Sequence, residues 1–281
     1  NGTCEVFEHR SSLGHVHHMF IKREIPIKVD GKTYYDLITP YGYGGPLILN
    51  YKMGRKEDLI HEFEVAFEQY CHNNNIVSEF VRFHPLVENA IDFTECYDVT
   101  LVRKTIGTNV TCQDPFMDEF SKSARKSVRR SLRAGVDFKV TKKPDNLTSF
   151  KKIYYSTMDR NKATNYYYFD DNYFNACLKF FRDKIILVDA TYKNKVISAG
   201  FYFVYGDTIH AHLSGTLTEY INLSPAYVVK YATVLWAKDH NIRLIHYGGG
   251  TSNSEQDSLY RFKKQFGKNT EFEFYVGKKV W

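Results

Sequence analysis

His210 and His212 stand two positions apart in the alternating run Ile209–Leu213. Both imidazoles therefore share one face of a strand, and Ile209, Ala211 and Leu213 share the other. With an ordinary pKa near ~6.5, either can accept a proton at neutral pH. Their spacing also suits a metal, but the chain offers no evident third ligand, so no metal is expected. Asp257 and Glu255 lie just before a helical run, where an acid serves either as a general base or simply as a favourable charge at the helix's positive end. Arg160 and Asn161 precede an aromatic segment that contains Tyr167. Arginine grips phosphate or carboxylate with two parallel hydrogen bonds, and tyrosine stacks on a sugar or a base, so these three read as substrate contacts. Arg82, between Phe80 and Phe83, is a similar candidate. Tyr43 lies in a glycine- and tyrosine-rich stretch, Tyr41–Pro46, that lacks the Lys-Ser/Thr ending of a phosphate-binding loop and reads as a cleft-lining turn.

These residues need elements to position them. In the first part, Glu5–Arg10, His15–Ile27 and Tyr34–Thr39 read as strands, with Asp30-Gly31-Lys32 as a turn. Lys56–Asn73 has helical periodicity, Asn73-Asn74-Asn75 breaks it, and Val77–Phe83 and Cys96–Val102 are strands. After Pro115 comes a helix with six basic residues between Lys122 and Arg133. Arg125, Arg129 and Arg133 fall near one face, an anion contact for transfer RNA or a membrane surface, or else a solvated linker helix. A strand, helix Leu147–Met158, helix Tyr173–Arg182 and three strands up to Ser214 follow. The last quarter reads strand, helix, strand, glycine turn, helix, strand. Ser224 is placed to cap its first helix, and Pro225 is pre-set for the first helical position. Backbone N–H groups of Ser224, Ala226 and Tyr227 at that end suit a phosphate or a carbonyl oxygen. Strands interleaved with helices, twice over, predict two α/β units, residues 1–115 and 116–281.

Composition narrows the class. The 281 residues, with 43% apolar and 25% charged, predict a packed soluble core. A net charge of +6 favours anionic partners without by itself implying nucleic acid. Five widely spaced cysteines argue against a disulfide framework and for a reducing cytoplasm. Asn-x-Thr/Ser triplets at Asn1, Asn109, Asn146 and Asn222 are then chance matches. No apolar run approaches the ~20 residues of a membrane span, and no signal peptide is present. The chain begins at Asn1 rather than Met, which predicts further residues upstream.

The run LYRFKKQFG (Leu259–Gly267), about ten residues after HYGGG (His246–Gly250), resembles the signature of the Fem family. These are the bacterial aminoacyltransferases that build peptidoglycan cross-bridges, within the wider GNAT-type acyltransferases. Ser123–Val136 resembles the family's basic helix, Tyr154–Phe169 its following helix-to-loop segment, and Tyr34–Pro46 and Glu79–Leu86 its amino-terminal half. The resemblance implies an α/β (α+β) fold of two tandem GNAT-like units, each a mixed sheet flanked by helices. It implies acyl transfer to an amine of a cell-wall or surface-polysaccharide precursor, either sugar-nucleotide or lipid-linked. No cofactor is held: the donor is a co-substrate, aminoacyl-tRNA or acyl-CoA. The implied location is the cytoplasm, peripheral to the inner membrane face. By resemblance Lys263 faces the cleft and meets the phosphates or reacting carbonyl of the precursor, and Gly249 joins Ser224, Ala226 and Tyr227 at the donor. His212 or Asp257 would take the amine's proton. CoA-using relatives usually carry Gln/Arg-x-x-Gly-x-Gly/Ala, whereas this chain has Ser214-Gly215-Thr216 and then Asn222-Leu223-Ser224-Pro225, which speaks against ordinary CoA binding.

Overall fold

Residues 2–281 are described by a computed structural model; Asn1, with its triplet, lies outside the described residues. In chain order the elements are strands β1 (Thr3–Ser11), β2 (Gly14–Glu24), β3 (Tyr35–Ile38) and β4 (Leu47–Tyr51), helix α1 (Lys56–Asn73), β5 (Ile76–Arg82), the single turn α2 (Asn89–Asp92), β6 (Asp98–Asn109), the short α3 (Pro115–Asp118), α4 (Lys122–Arg133), β7 (Asp137–Lys142), α5 (Thr148–Arg160), α6 (Asp171–Phe181), β8 (Ile185–Tyr192), β9 (Lys195–Tyr205), β10 (Thr208–Thr216), α7 (Pro225–Asp239), β11 (Leu244–Gly248), α8 (Ser258–Lys264) and β12 (Glu271–Val280). They form two compact units. The first runs to Lys104 and takes back Phe272–Trp281; the second is Thr105–Glu271. The sequence pattern divides the chain at 115/116, and periodicity alone carries no sign that the final strand belongs with the first unit.

In the first unit the strand order is β1-β2-β3-β5-β12, with β4 on β2. β3 and β5 run parallel, and β5 and β12 antiparallel. Leu59, Phe63 and Phe67 recur at helical spacing on α1 and bury against Val16, Phe20 and Val81 of the sheet. Glu79 is buried in this core. His18 Nε2 lies 2.7 Å from its Oε1, and the Tyr97 hydroxyl donates to Oε2 at 2.8 Å, so both oxygens of the buried carboxylate are met.

In the second unit β11 lies between β6 and β10, and the order continues β10-β9-β8-β7. Helices cover both faces, which is why these strands read as nearly unbroken apolar runs. Ile186, Val188 and Tyr202 point to the side of α4 and α7. Ile185, Leu187 and Phe201 point to the side of α5 and α6. β10 and β11 run parallel and pair over Thr208–His210 and Leu244–His246. Beyond that point β10 bulges between Ala211 and Leu213, and pairing between the two strands ends.

Lys230 of α7 is buried beneath this point, its Nζ 5.1 Å from the Tyr202 ring centre, 4.7 Å from that of Tyr247 and 3.3 Å from the Tyr202 hydroxyl. Burial pushes its pKa down to about 8. The unfolded chain keeps this proton up to the ordinary lysine value, so stability is expected to rise with pH between about 8 and about 10.5. Below that window, burying the ammonium costs on the order of 3 kcal/mol. Lys230→Met is therefore expected to be more stable than the parent at pH 7, by up to about 3 kcal/mol, with the gain shrinking towards pH 10. Urea midpoints at the two pH values check this; an equal loss of stability at both would show that the two rings more than offset the desolvation.

Candidate active site

The glycine turn after β11 leads into an exposed loop whose centre is Asp257. Its carboxylate accepts from the backbone N–H groups of Thr251, Ser252 and Tyr260 at 3.1, 2.9 and 2.8 Å, and from the Thr251 and Ser252 hydroxyls. The Thr251 hydroxyl, followed by these amides, holds its pKa far below the usual carboxylate range. A carboxylate so saturated is a weak base; it caps α8 and ties down the loop. Gly250 is glycine because a Cβ there would come within 2.5 Å of Asp257 Oδ1.

α8 then presents its lysines differently. Lys263 Nζ donates to the Gly249 carbonyl at 2.7 Å. Lys264 Nζ meets Glu271 Oε1 at 2.7 Å, and the Tyr260 hydroxyl donates to the same oxygen at 2.7 Å. Phe262 and Phe266 turn inward onto Tyr227, the third residue of α7, at 5.5 and 5.3 Å between ring centres. Gln265 Nε2 donates to the Tyr227 hydroxyl at 3.2 Å. The glycine that ends the motif has a steric cause: a Cβ on Gly267 would lie 1.7 Å from the Gly107 carbonyl oxygen. Gly267→Ala is accordingly expected to destabilise the protein by about 3 kcal/mol or more, read as a lower melting temperature and poor soluble yield.

The amino end of α7 departs from the expected cap and from the expected set of donors: the Ser224 and Tyr227 backbone N–H groups donate within the chain, to the Ile221 carbonyl at 2.9 Å and the Ser224 carbonyl at 3.1 Å, because the turn before the helix closes on itself. Ser224 adopts a left-handed conformation (φ 54°), and no side chain caps the helix. The hydroxyl turns away because Arg130 Nη2 donates to it at 2.9 Å. Ser131 Oγ donates to the Leu223 carbonyl in the same seam. The basic helix α4 is thus fastened to the first turn of α7. Met117, Lys122, Arg125, Lys126, Arg129 and Arg133 line an open groove of about 380 Å³ along it. Arg125 donates to the Met117 and Phe120 carbonyls, and Arg129 lies over the Phe116 ring. Among the described residues no carboxylate forms an ion pair with any cation of α4.

Around α7 and α8 the fold therefore gathers Ser224, Ala226, Tyr227, Gly249, Asp257 and Lys263, with Arg125, Arg129 and Arg133 on the adjoining helix. His212 is not among them. It lies on the α5–α6 face against Phe201 and Phe203, bonded to the Tyr173 hydroxyl, and burial pushes its pKa down to about 4. Arg160 Nη1 donates to the Thr216 carbonyl at 2.8 Å and the Thr218 hydroxyl at 3.1 Å, fixing the end of β10. Asn161 and Tyr167 are exposed beside it, and the Tyr167 carbonyl accepts from Tyr154. In the first unit, Arg82 Nη2 donates to the Thr39 and Pro40 carbonyls at 2.8 Å each, which holds the Tyr41–Pro46 loop. Tyr43 packs edge-on to His84 and Phe274. Arg130, Gln265 and Glu271 were not singled out by the sequence. Arg130 lay in the basic run, but which arginine meets Ser224 depends on how α4 and α7 pack. Among the described residues no group of three or more His, Cys, Asp or Glu could hold a metal ion.

A mixed sheet with helices on both faces, two strands parting after a short parallel contact, and a helix end beside the opening define a GNAT-type site. Residues 119–264, more than half of the chain, match the family described as Acetyltransferase (GNAT) domain, and the chain belongs to that family. It is 28% identical over 162 residues to the UDP-N-acetylmuramoylpentapeptide-lysine N(6)-alanyltransferase of Weissella viridescens. That match takes in 57% of this chain and 47% of the Weissella protein, so the chain spans about half the length of this relative. Among solved structures, FemX matches all of the chain over 89% of its own, with a TM-score of 0.71 and 11% identity. L-PGS from Bacillus licheniformis matches 98% of the chain over 83% of its own, with a TM-score of 0.60 and 13% identity. Both are likenesses of fold. No helix of the described residues is long and apolar enough to cross a membrane.

Proposed function

We propose that this protein is an acyltransferase of the Fem type that moves an aminoacyl group from a polyanionic carrier to an amine of a cell-wall or surface-polysaccharide precursor. The observation that carries the reading is the shared seam of α4, α7 and α8. Lys263 reaches the Gly249 carbonyl at 2.7 Å, its neighbour Phe262 packs on Tyr227, and Arg130 joins the basic helix to Ser224 at 2.9 Å. A carrier with many phosphates would lie along α4 and deliver its ester carbonyl to the first turn of α7. Aminoacyl-tRNA is such a carrier, and the likeness to the Weissella alanyltransferase supports it. That protein's name also supports an acceptor of the UDP-N-acetylmuramoyl-pentapeptide class; a lipid-linked precursor presents the same amine and would bring the chain to a membrane surface.

In the step itself the acceptor nitrogen attacks the ester carbonyl carbon, a C–N bond forms, and the carrier's ester oxygen leaves with a proton. Lys263 and the Ala226 backbone N–H at the amino end of α7 oppose the charge that develops on the carbonyl oxygen. His212 and Asp257 are both weak bases in their surroundings, so the amine's proton passes to water. Purified protein offered the UDP-linked pentapeptide with either alanyl-tRNA or acetyl-CoA tests the reading. Product with alanyl-tRNA that disappears on ribonuclease treatment is the expected result. Product with acetyl-CoA alone would move the chain to the N-acetyltransferases of amino sugars, and binding without product would make it a non-catalytic RNA or glycan binder.

A further inference from the structure

At one end of the second unit three large aromatic side chains stand out into solvent. Phe180 and Phe181 end α6 and are 67% and 52% exposed; Tyr205, at the turn between β9 and β10, is 76% exposed. They are neighbours. The Phe181 ring meets Phe203 edge-on at 5.9 Å, and Phe203 pairs with Ile185, the residue after Lys184. Lys184 Nζ lies 5.7 Å from the Tyr205 ring centre, and Lys179 Nζ 5.1 Å from that of Phe180. The carboxylates nearby are already matched: Asp183 by Lys143 at 2.6 Å and Asp145 by Arg182. Lys179 and Lys184 pair with no carboxylate among the described residues. Exposed rings of this size at one spot on a soluble domain mark a contact surface.

We propose that this end of the second unit, built on Phe180, Phe181, Tyr205, Lys179 and Lys184, docks onto an anionic lipid bilayer. Three properties select the bilayer over other occupants. Each exposed ring has an ammonium beside it, Lys179 at 5.1 Å from the Phe180 centre and Lys184 at 5.7 Å from that of Tyr205, so apolar bodies and cationic heads alternate over the patch as an anionic interface requires. A second copy of this chain would bring together two positive patches on a molecule of net charge +6. A bilayer interface takes rings into the acyl boundary while lysines stay at the phosphates. The surface is independent of the transfer reaction. It lies at the start of β10, whereas the glycine turn follows the end of β11, which runs parallel to β10. Docking therefore leaves the Lys263 end of this unit turned away from the lipid.

Flotation of the full chain with vesicles tests this. Vesicles of equal parts phosphatidylglycerol and phosphatidylcholine are expected to carry the protein; pure phosphatidylcholine vesicles are expected to carry far less. Phe180→Ser with Tyr205→Ser should lower the bound fraction about tenfold, and Lys179→Gln with Lys184→Gln should remove the preference for phosphatidylglycerol. Phe181, which packs on Phe203, is left intact so that the variants fold, and matching melting temperatures check that they do. Unchanged flotation of the ring variant would overturn the proposal, as would loss of flotation in an Arg129→Gln, Arg133→Gln variant of α4 alone. A parent that sediments as a dimer, with a monomeric ring variant and no vesicle binding by either, would assign the surface to self-association and overturn it as well.

Discussion

Lys263→Met is expected to lower the turnover of acyl transfer about a hundredfold, as loss of one charged group at an oxyanion does. The melting temperature should stay that of the parent. Lys263 is only partly buried, whereas the helix is held by Phe262, Phe266 and the Asp257 cap. The effect should fall on kcat more than on KM, because the ammonium acts on charge that appears only as the carbonyl is attacked. Lys264→Met is the control. Its partner is Glu271, so its loss breaks a partly exposed ion pair of small worth and leaves turnover within about twofold. If both variants kept parental rates, the Gly249–Lys263 contact would be a structural tie and the reaction centre would lie elsewhere.

The second large effect concerns the carrier. Arg125→Gln, Arg129→Gln and Arg133→Gln together should weaken tRNA binding about a hundredfold at low salt. The slope of log affinity against log salt should become shallower by about 2 to 3, close to one per lost phosphate contact. Arg125 also donates to the Met117 and Phe120 carbonyls, so its replacement disturbs the start of α4. A second combination, Lys126→Gln with Arg129→Gln and Arg133→Gln, spares that link and should behave the same way. Competition between labelled tRNA and the variants across a salt series reads both numbers. An unchanged slope in both combinations would show that the groove carries no phosphate.

How much of this could be read beforehand differs by element. Lys56–Asn73 folds over the span its periodicity marks, because apolar repeats report directly which face is buried. β4 was not seen: Leu47–Tyr51 is short, and Leu49 and Tyr51 are exposed, so it carries no alternation. Asp257 and Lys263 were singled out by position, but their roles separated only in space, when one carboxylate collected three amides and one ammonium turned to a carbonyl. Ser224 looked like a helix cap until a distant arginine claimed its hydroxyl. His212 shows the limit most clearly. Alternation sets it opposite Ile209, Ala211 and Leu213, but the bulge between Ala211 and Leu213 brings Leu213 to the side of His212, and which helices cover that face is a tertiary fact that lowers its basicity and parts it from Lys263.

The return of Phe272–Trp281 to the first unit has a consequence for biosynthesis. β12 pairs with β5 from Ser78 to Arg82, but the ribosome makes β12 only after the whole of Thr105–Glu271. At roughly 5 to 20 residues per second, the nascent amino-terminal sheet waits on the order of ten seconds or more with the β5 rim uncovered. During that delay the rim is a template for strands from neighbouring nascent chains, so holdase chaperones should be found on polysomes stalled shortly before codon 271.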